Sequence, residues 1–145
     1  MAFRFPLASV LRFRQSMEQQ EELELRKLQL EVASVRRSIE QAIMEIAIAQ
    51  QARETALKHP LQAAHLQAML HAVDGAIERK NKLLATLQKL EEKRNEQMRR
   101  YQEAHRGRQM LADLESHQQD EYELQQVRAQ QKVLDDLFGA RHQRR

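Results

Sequence analysis

A chain of 145 residues that is 31% charged and only 4% aromatic cannot build the large apolar core of a compact globular enzyme. Because it contains three Gly and two Pro, few turns are available, and long helices are expected. The absence of Cys excludes disulfides and Cys-based zinc sites. The net charge is +3, and positive and negative residues are interspersed over most of the sequence.

The N-terminal residues combine apolar side chains with a proline placed to open a helix. Phe3, Phe5 and Leu7 are apolar, and Pro6 suits the first turn of a helix. Arg4 interrupts them, so this segment does not have the apolar run of a signal peptide. No other stretch approaches the roughly 20 apolar residues of a membrane span. We therefore expect a soluble, cytoplasmic protein.

A first helix is predicted over residues 7–57. Its mainly apolar stripe advances alternately by four and three residues: Leu25, Leu28, Val32, Val35, Ile39, Ala42, Ile46, Ala49, Arg53 and Ala56. A single helix in water cannot bury such a stripe, so the pattern predicts a partner helix.

A tip is predicted at residues 58–62, because Pro60 cannot donate a backbone hydrogen bond and disfavours helical geometry at His59. The same period then resumes in a second helix, predicted over residues 63–138: Leu66, Met69, Val73, Ala76, Lys80, Leu83, Leu87 and Leu90. A short connection favours antiparallel neighbours. The predicted fold is all-α, a single elongated domain (residues 1–145) formed by a long two-helix antiparallel coiled-coil hairpin, although such heptads could also pair between chains.

The predicted register places Ala56 opposite Leu66, so that the numbers of facing residues sum to about 122. The apolar stripe of the second helix fades near residues 91–97, where we expect charge pairs between the helices to replace apolar packing. The residues expected to pair are Glu18, Glu21, Glu22 and Glu24 on the first helix and Arg94, Arg99 and Arg100 on the second.

The second helix is longer than the first, so residues 116–145 should overhang without a partner. Within this overhang Leu124, Val127, Leu134 and Phe138 form a second stripe in a different phase. Gly139 is placed like a helix C-cap and opens a basic tail, residues 139–145. An amphipathic helix without an internal partner suggests an external one, although the two chain ends could also pack together.

No residue pattern indicates catalysis, a cofactor or a metal site. A two-helix hairpin encloses no pocket in which reacting groups could be held, and no phosphate loop or nucleophile motif is present. His59, His65 and His71 are six residues apart, which puts consecutive members on opposite sides of a helix. Met44 and Ile48 lie one turn apart and off the stripe, where they form an apolar surface spot unless this is ordinary exposure.

Each end of the chain carries a short motif. The first is Phe3-x-Phe5-x-Leu7-x-x-Val10-Leu11-x-x-Arg14, and the second is Lys132-Val133-Leu134-Asp135-Asp136-Leu137-x-x-x-Arg141. These motifs resemble the start and the end of the FliJ family of flagellar type III export proteins. The resemblance implies a non-enzymatic, stalk-like coiled coil that binds the hexameric export ATPase FliI and the export gate component FlhA. It also implies export chaperones as further partners, and a peripheral position at the inner face of the cell membrane.

We predict two sets of binding residues on this basis. The expected ATPase-ring contacts are Phe3, Phe5, Leu7, Leu124, Val127, Leu134, Asp135, Asp136 and Phe138. The expected gate contacts are Met44 and Ile48, which are exposed by the register, together with Met69, Val73 and Ala76, which the resemblance places there.

Two other functions fit parts of the same pattern. The first is the equivalent coiled-coil stalk of a virulence-type secretion system, which shares the shape and chemistry. The second is a basic coiled coil that binds nucleic acid nonspecifically through arginines, without aromatic stacking platforms. Its arginines are Arg99, Arg100, Arg106, Arg108, Arg141, Arg144 and Arg145. No nucleic acid is expected as a partner on balance.

Overall fold

The computed structural model describes residues 2–60 and 62–144, which contain two α-helices and no strand. Helix α1 spans Ala8–Leu57 and helix α2 spans Ala63–Gln143. The two helices pack against each other, and the predicted all-α two-helix hairpin is confirmed. Leu61 in the predicted tip and Arg145 in the predicted tail lie outside the described residues.

Pro6 and Pro60 mark the two ends of α1. Pro6 lies in the turn before the helix, where the amide of Ala8 donates to the carbonyl of Phe5 at 3.2 Å. At the other end, the amides of Lys58 and His59 donate to carbonyls three residues earlier, at 3.3 and 3.2 Å. This tightening of the last turn directly precedes Pro60, whose nitrogen has no proton to donate.

Packing contacts divide the chain into two units, which are described separately. The first unit contains the residues up to Glu21 and those from Tyr101 onward, and the second contains Glu22–Arg100. Each unit therefore contains part of α1 and part of α2.

In the second unit the residues at the predicted stripe positions form the seam between the helices. Every one of them is buried or half-buried, and Val32 is the most enclosed at 2% exposure. The stripe does not fade where it was predicted to, because half-buried Arg94 and buried Gln97 continue its spacing. Long polar side chains can do this since their methylene stems pack like apolar groups.

Several of the charged residues predicted to pair across the seam pair within their own helix instead. Arg36 and Glu91 form an ion pair between the helices at 2.8 Å. Glu22 instead pairs with Arg26 at 2.8 Å, and Glu24 with Lys27 at 3.1 Å, both within α1. Arg100 likewise pairs within α2, with Glu96 at 3.1 Å. Residues three or four apart on one helix are always within reach of each other, which explains the preference for these local pairs.

In the first unit the residues before Glu21 pack along α2 from Tyr101 onward. Phe5 and Leu11 are buried, and the half-buried residues of α2 continue the spacing of three and four: Tyr101, Ala104, Arg108, Leu111, Glu115, Gln118 and Tyr122. The ring of Phe3 lies 5.7 Å from that of Tyr122.

The overhang is shorter than predicted, because it begins after Tyr122 and not at residue 116. From residue 123 to residue 144 every described residue is exposed. The prediction counted only the residues of the first helix and left out those that precede it. Residues 2–5 precede α1 without helical structure and residues 6 and 7 form a turn. A residue outside a helix can cover up to about 3.3 Å, where a helical residue covers about 1.5 Å.

The predicted end of the second helix at residue 138 is wrong, since α2 continues to Gln143. Gly139 is not a C-cap, because no glycine among the described residues has a positive φ. A helical glycine costs only about 1 kcal/mol relative to Ala. Arg141 and His142 occupy the last turn, where positive charge is favourable.

Gly139→Ala should therefore increase the helicity of the C-terminal end of α2. No side chain lies within 4 Å of a Cβ added at Gly139, so only the gain in helix propensity, about 1 kcal/mol locally, remains. Hydrogen exchange of the amides from 138 to 143 should slow by several-fold. Faster exchange would indicate a left-handed cap at this glycine.

Candidate interaction surfaces

A charged cluster lies within the seam of the first unit. The carboxylate of Glu18 on α1 lies 3.0 Å from Nδ1 of His105 on α2, and it also accepts a hydrogen bond from Nε of Arg108. The side chain of Glu18 is only 14% exposed, while the His105 ring stacks against Tyr101 with centroids 6.0 Å apart. The cluster joins the two helices at one point of their register.

The electrostatics of this cluster lower the pKa of Glu18. Burial by itself raises the pKa, but hydrogen bonds from His105 and Arg108 and their positive charges outweigh it. The ionised carboxylate is therefore favoured in the folded chain. Arg14 crosses the same region, with its guanidinium 3.6 Å from where a Cβ at Gly107 would lie.

Glu18→Gln should reduce the loss of stability in acid. A group whose folded-state pKa is lowered contributes stability that is present above its unfolded-state pKa and is lost as the pH falls through the folded-state value. This contribution should therefore begin to decline near the ordinary glutamate pKa of 4.5 and be lost as the pH falls through the lower pKa of Glu18 in the folded chain. Urea unfolding followed by circular dichroism should show a smaller decline in unfolding free energy from pH 6 to pH 3 for the variant. Equal declines in both proteins would contradict the assignment.

The predicted ring-binding residues near the N-terminus differ in accessibility. Phe5 is buried in the first unit and Phe3 is half-buried against Tyr122, whereas Leu7 is exposed. The possibility that the N-terminal residues pack locally is thus realised for Phe3 and Phe5. Leu7, at 39% exposure, is the most accessible of the three side chains.

The C-terminal end of α2 presents an apolar surface that we name the terminal face. Its residues are each more than half exposed: Leu124, Val127, Val133, Leu134, Leu137 and Phe138. Shallow grooves run between them, one lined by Ala129, Gln130, Val133 and Leu134. A second groove is lined by Leu134, Leu137, Phe138 and Arg141.

Sequence reasoning missed Val133 and Leu137 as members of this surface. The predicted stripe followed Leu124, Val127, Leu134 and Phe138, and it left out a neighbouring pair one turn apart. Both residues fall within the C-terminal motif, and their spacing of four was the available signal. Asp135 and Asp136 are also exposed beside the face.

The predicted gate residues fall into an exposed group and an enclosed group. Met44 and Ile48 are 64% and 66% exposed, as their position off the seam required. A groove beginning at Ile48 continues toward the tip and is lined by Ile48, Gln51, Ala52, Thr55, Ala56 and His59. Val73 and Ala76 are buried in the seam and Met69 is half-buried, so Met44 and Ile48 offer the accessible apolar surface.

Several arginines proposed for nucleic-acid binding already have partners. Arg108 is bound to Glu18 and Arg100 to Glu96. The backbone carbonyl of Gln102 accepts a hydrogen bond from Arg106 at 3.5 Å. Over residues 2–60 and 62–144 there is no group of three or more His, Asp or Glu side chains that could hold a metal ion. None of the described helices has a stretch apolar and long enough to cross a bilayer.

Comparison with known proteins identifies one family. The family model described as Flagellar FliJ protein matches residues 3–145, which is nearly the whole chain. No curated protein and no solved structure has significant similarity to the sequence.

Proposed function

Because the chain belongs to the FliJ family, we propose that it is a stalk-like, non-enzymatic component of the flagellar type III export apparatus. In this role it binds the ring of the export ATPase FliI and the export gate component FlhA, and it escorts export chaperones. It works in the cytoplasm, held at the inner face of the cell membrane through its partners. A flagellar family match favours this assignment over the virulence-type stalk.

The observation that carries the proposal is the unpartnered terminal face. Six large apolar side chains remain more than half exposed on the part of α2 after Tyr122, where every described residue is exposed. Exposed apolar patches of this kind mark protein interaction sites. An amphipathic helix that extends beyond its own hairpin can enter a groove or a ring opening on a partner.

Charge around the terminal face suits the same role. Arg141 and His142 lie in the last turn of α2, and Arg144 follows its end. Positive charge at this end can be attracted to acidic surfaces on a partner and increase the association rate. Leu7 is the most accessible of the predicted N-terminal ring contacts, and we assign it a secondary part in ring binding.

The direct test is stimulation of the purified ATPase FliI by the full chain. We expect the chain to promote hexamer assembly and to raise ATP turnover, with no hydrolysis by the chain itself. Titration should saturate at a defined ratio of chain to hexamer. An ATPase whose turnover and assembly are unchanged at saturating concentrations of the chain would refute the ring assignment.

We expect Met44→Asp combined with Ile48→Asp to weaken FlhA binding at least tenfold. Each substitution places a charge on an apolar spot that the partner would have to desolvate, at a cost of a few kcal/mol. The native hairpin should not suffer, since both side chains face solvent. Affinity for FlhA measures the effect, and Leu30→Asp, at a similarly exposed site on α1, is the control. Unchanged FlhA affinity would remove Met44 and Ile48 from the gate surface.

A further inference from the structure

The terminal face has the pattern of a coiled-coil seam of its own. Leu124, Val127, Gln131, Leu134, Phe138 and Arg141 advance by three and four residues in turn, which puts them on one side of α2. This phase differs from the one that ends at Tyr122, so the seam of the hairpin cannot cover it. Of the remaining apolar residues, Leu137 flanks the stripe, and Val133 lies farther round the same side of the helix.

We propose that the terminal face binds a second copy of this chain, with the two C-terminal helices antiparallel. In such a pair Val127 of one copy faces Phe138 of the other, and Gln131 faces Leu134. Two-fold symmetry repeats each contact, as in most homodimers. The groove lined by Leu134, Leu137, Phe138 and Arg141 borders this stripe and supplies a space into which a facing side chain inserts.

Charge complementarity supports a second copy as the occupant. The antiparallel arrangement brings Arg128 of each chain beside Asp135 of the other, which gives two ion pairs by symmetry. Both residues are exposed, and neither forms an ion pair or another polar contact within the described residues. On the opposite flank Glu123 of one copy lies toward Arg144 of the other, again with opposite charge.

The same residues disfavour a parallel pair. Parallel helices would place Arg141 of one copy directly against Arg141 of the other in the seam, and would put Gln131 against Gln131. The antiparallel arrangement separates the two arginines, so that each faces Leu124 of the other copy and extends its charge past the end of the contact. Like-charge contact is thereby avoided.

Self-association would also compete with ring binding, because both use the terminal face. A dimer covers Leu134 and Phe138, which the ATPase ring would otherwise contact. The dimer is then a form that cannot bind the ring, and it dissociates to monomers when a ring is available. Dimerisation itself does not depend on the proposed function, so either can fail without the other.

Charge reversal tests the proposal on the full-length chain. Sedimentation velocity from about 5 to 200 µM should show a reversible monomer–dimer equilibrium. Arg128→Asp and Asp135→Arg should each weaken dimerisation about tenfold, since two attractive contacts become repulsive. The double variant with both changes should return to within about threefold of the wild type. Circular dichroism checks that helicity is unaltered.

A spin label gives the orientation independently, because the chain has no Cys and one introduced residue is labelled uniquely. Labels on Gln125→Cys should lie about 22 Å apart along the axis in the antiparallel dimer, against roughly 10 Å between parallel neighbours. Three results would overturn the proposal: a chain that is monomeric over the whole concentration range, a double variant no stronger than the single ones, or a label distance of parallel type. The first would leave the terminal face to another protein.

Discussion

Leu134→Asp together with Phe138→Asp should abolish stimulation of the FliI ATPase by this chain. Burying a Leu or Phe side chain contributes about 1.5–3 kcal/mol, and burying an unpaired carboxylate opposes binding further. Affinity for the ring should therefore fall by more than a hundredfold. Folding should be unaffected, because both residues are more than half exposed in the monomer. The measurement is ATP turnover by FliI with the variant present at the concentration at which the wild-type chain saturates the stimulation.

The matched control changes two exposed leucines in the other unit, Leu23→Asp with Leu30→Asp. This control adds the same charge to the chain but leaves the terminal face intact. Stimulation of the ATPase should therefore be unchanged. The charge variants at Arg128 and Asp135 separate ring binding from self-association, since they should weaken the dimer without removing any apolar contact. If the Leu134 and Phe138 variant stimulates like the wild type, the terminal face is not the ring-binding surface.

The hairpin could be predicted from the sequence because its two determinants are local and strong. Alternating steps of three and four residues fix which side of each helix is enclosed, and Pro60 fixes where α1 must stop. Val32, Ile39, Val73 and Ala76 accordingly lie in the seam where the period put them.

The continuation of the seam could not be predicted in the same way. Gln97 and Arg108 occupy seam positions through their stems, which a pattern of apolar residue types does not register. The cluster of Glu18, His105 and Arg108 depends on the choice between partners within a helix and partners across it. That choice follows from side-chain reach, and Glu18 crosses the seam where Glu22 and Glu24 do not.

The candidate binding surfaces were partly accessible to the same reasoning. Met44 and Ile48 are exposed because they lie outside the apolar stripe of the first helix, and their positions relative to this stripe follow from the sequence alone. Family resemblance added Val73 and Ala76, yet the period already assigned both to the seam, and there they are buried. Where the two kinds of inference disagreed, the physical pattern was the better guide to accessibility. The predicted helix end at Gly139 was wrong for a different reason, because a glycine is compatible with both a cap and a helix interior.

Ile39→Ala should lower the free energy of unfolding by roughly 2–4 kcal/mol, the usual cost of removing a buried aliphatic side chain and leaving a cavity. Ile39 is buried in the seam, and a two-helix seam is only one side chain thick, so few neighbours can relax into the space. The loss is a large part of the 5–15 kcal/mol by which typical domains are stable. Urea unfolding followed by circular dichroism measures it.

Leu30→Ala is the control for this experiment, because Leu30 lies on the same helix and is 70% exposed. Its unfolding free energy should change by less than about 0.5 kcal/mol. Equal effects at Leu30 and Ile39 would mean that the seam is not where α1 is stabilised. Because Ile39 and the terminal face belong to different units, the Ile39 variant should still stimulate the ATPase at low temperature, where it remains folded. Stability and ring binding would then be shown to reside in separate parts of the chain.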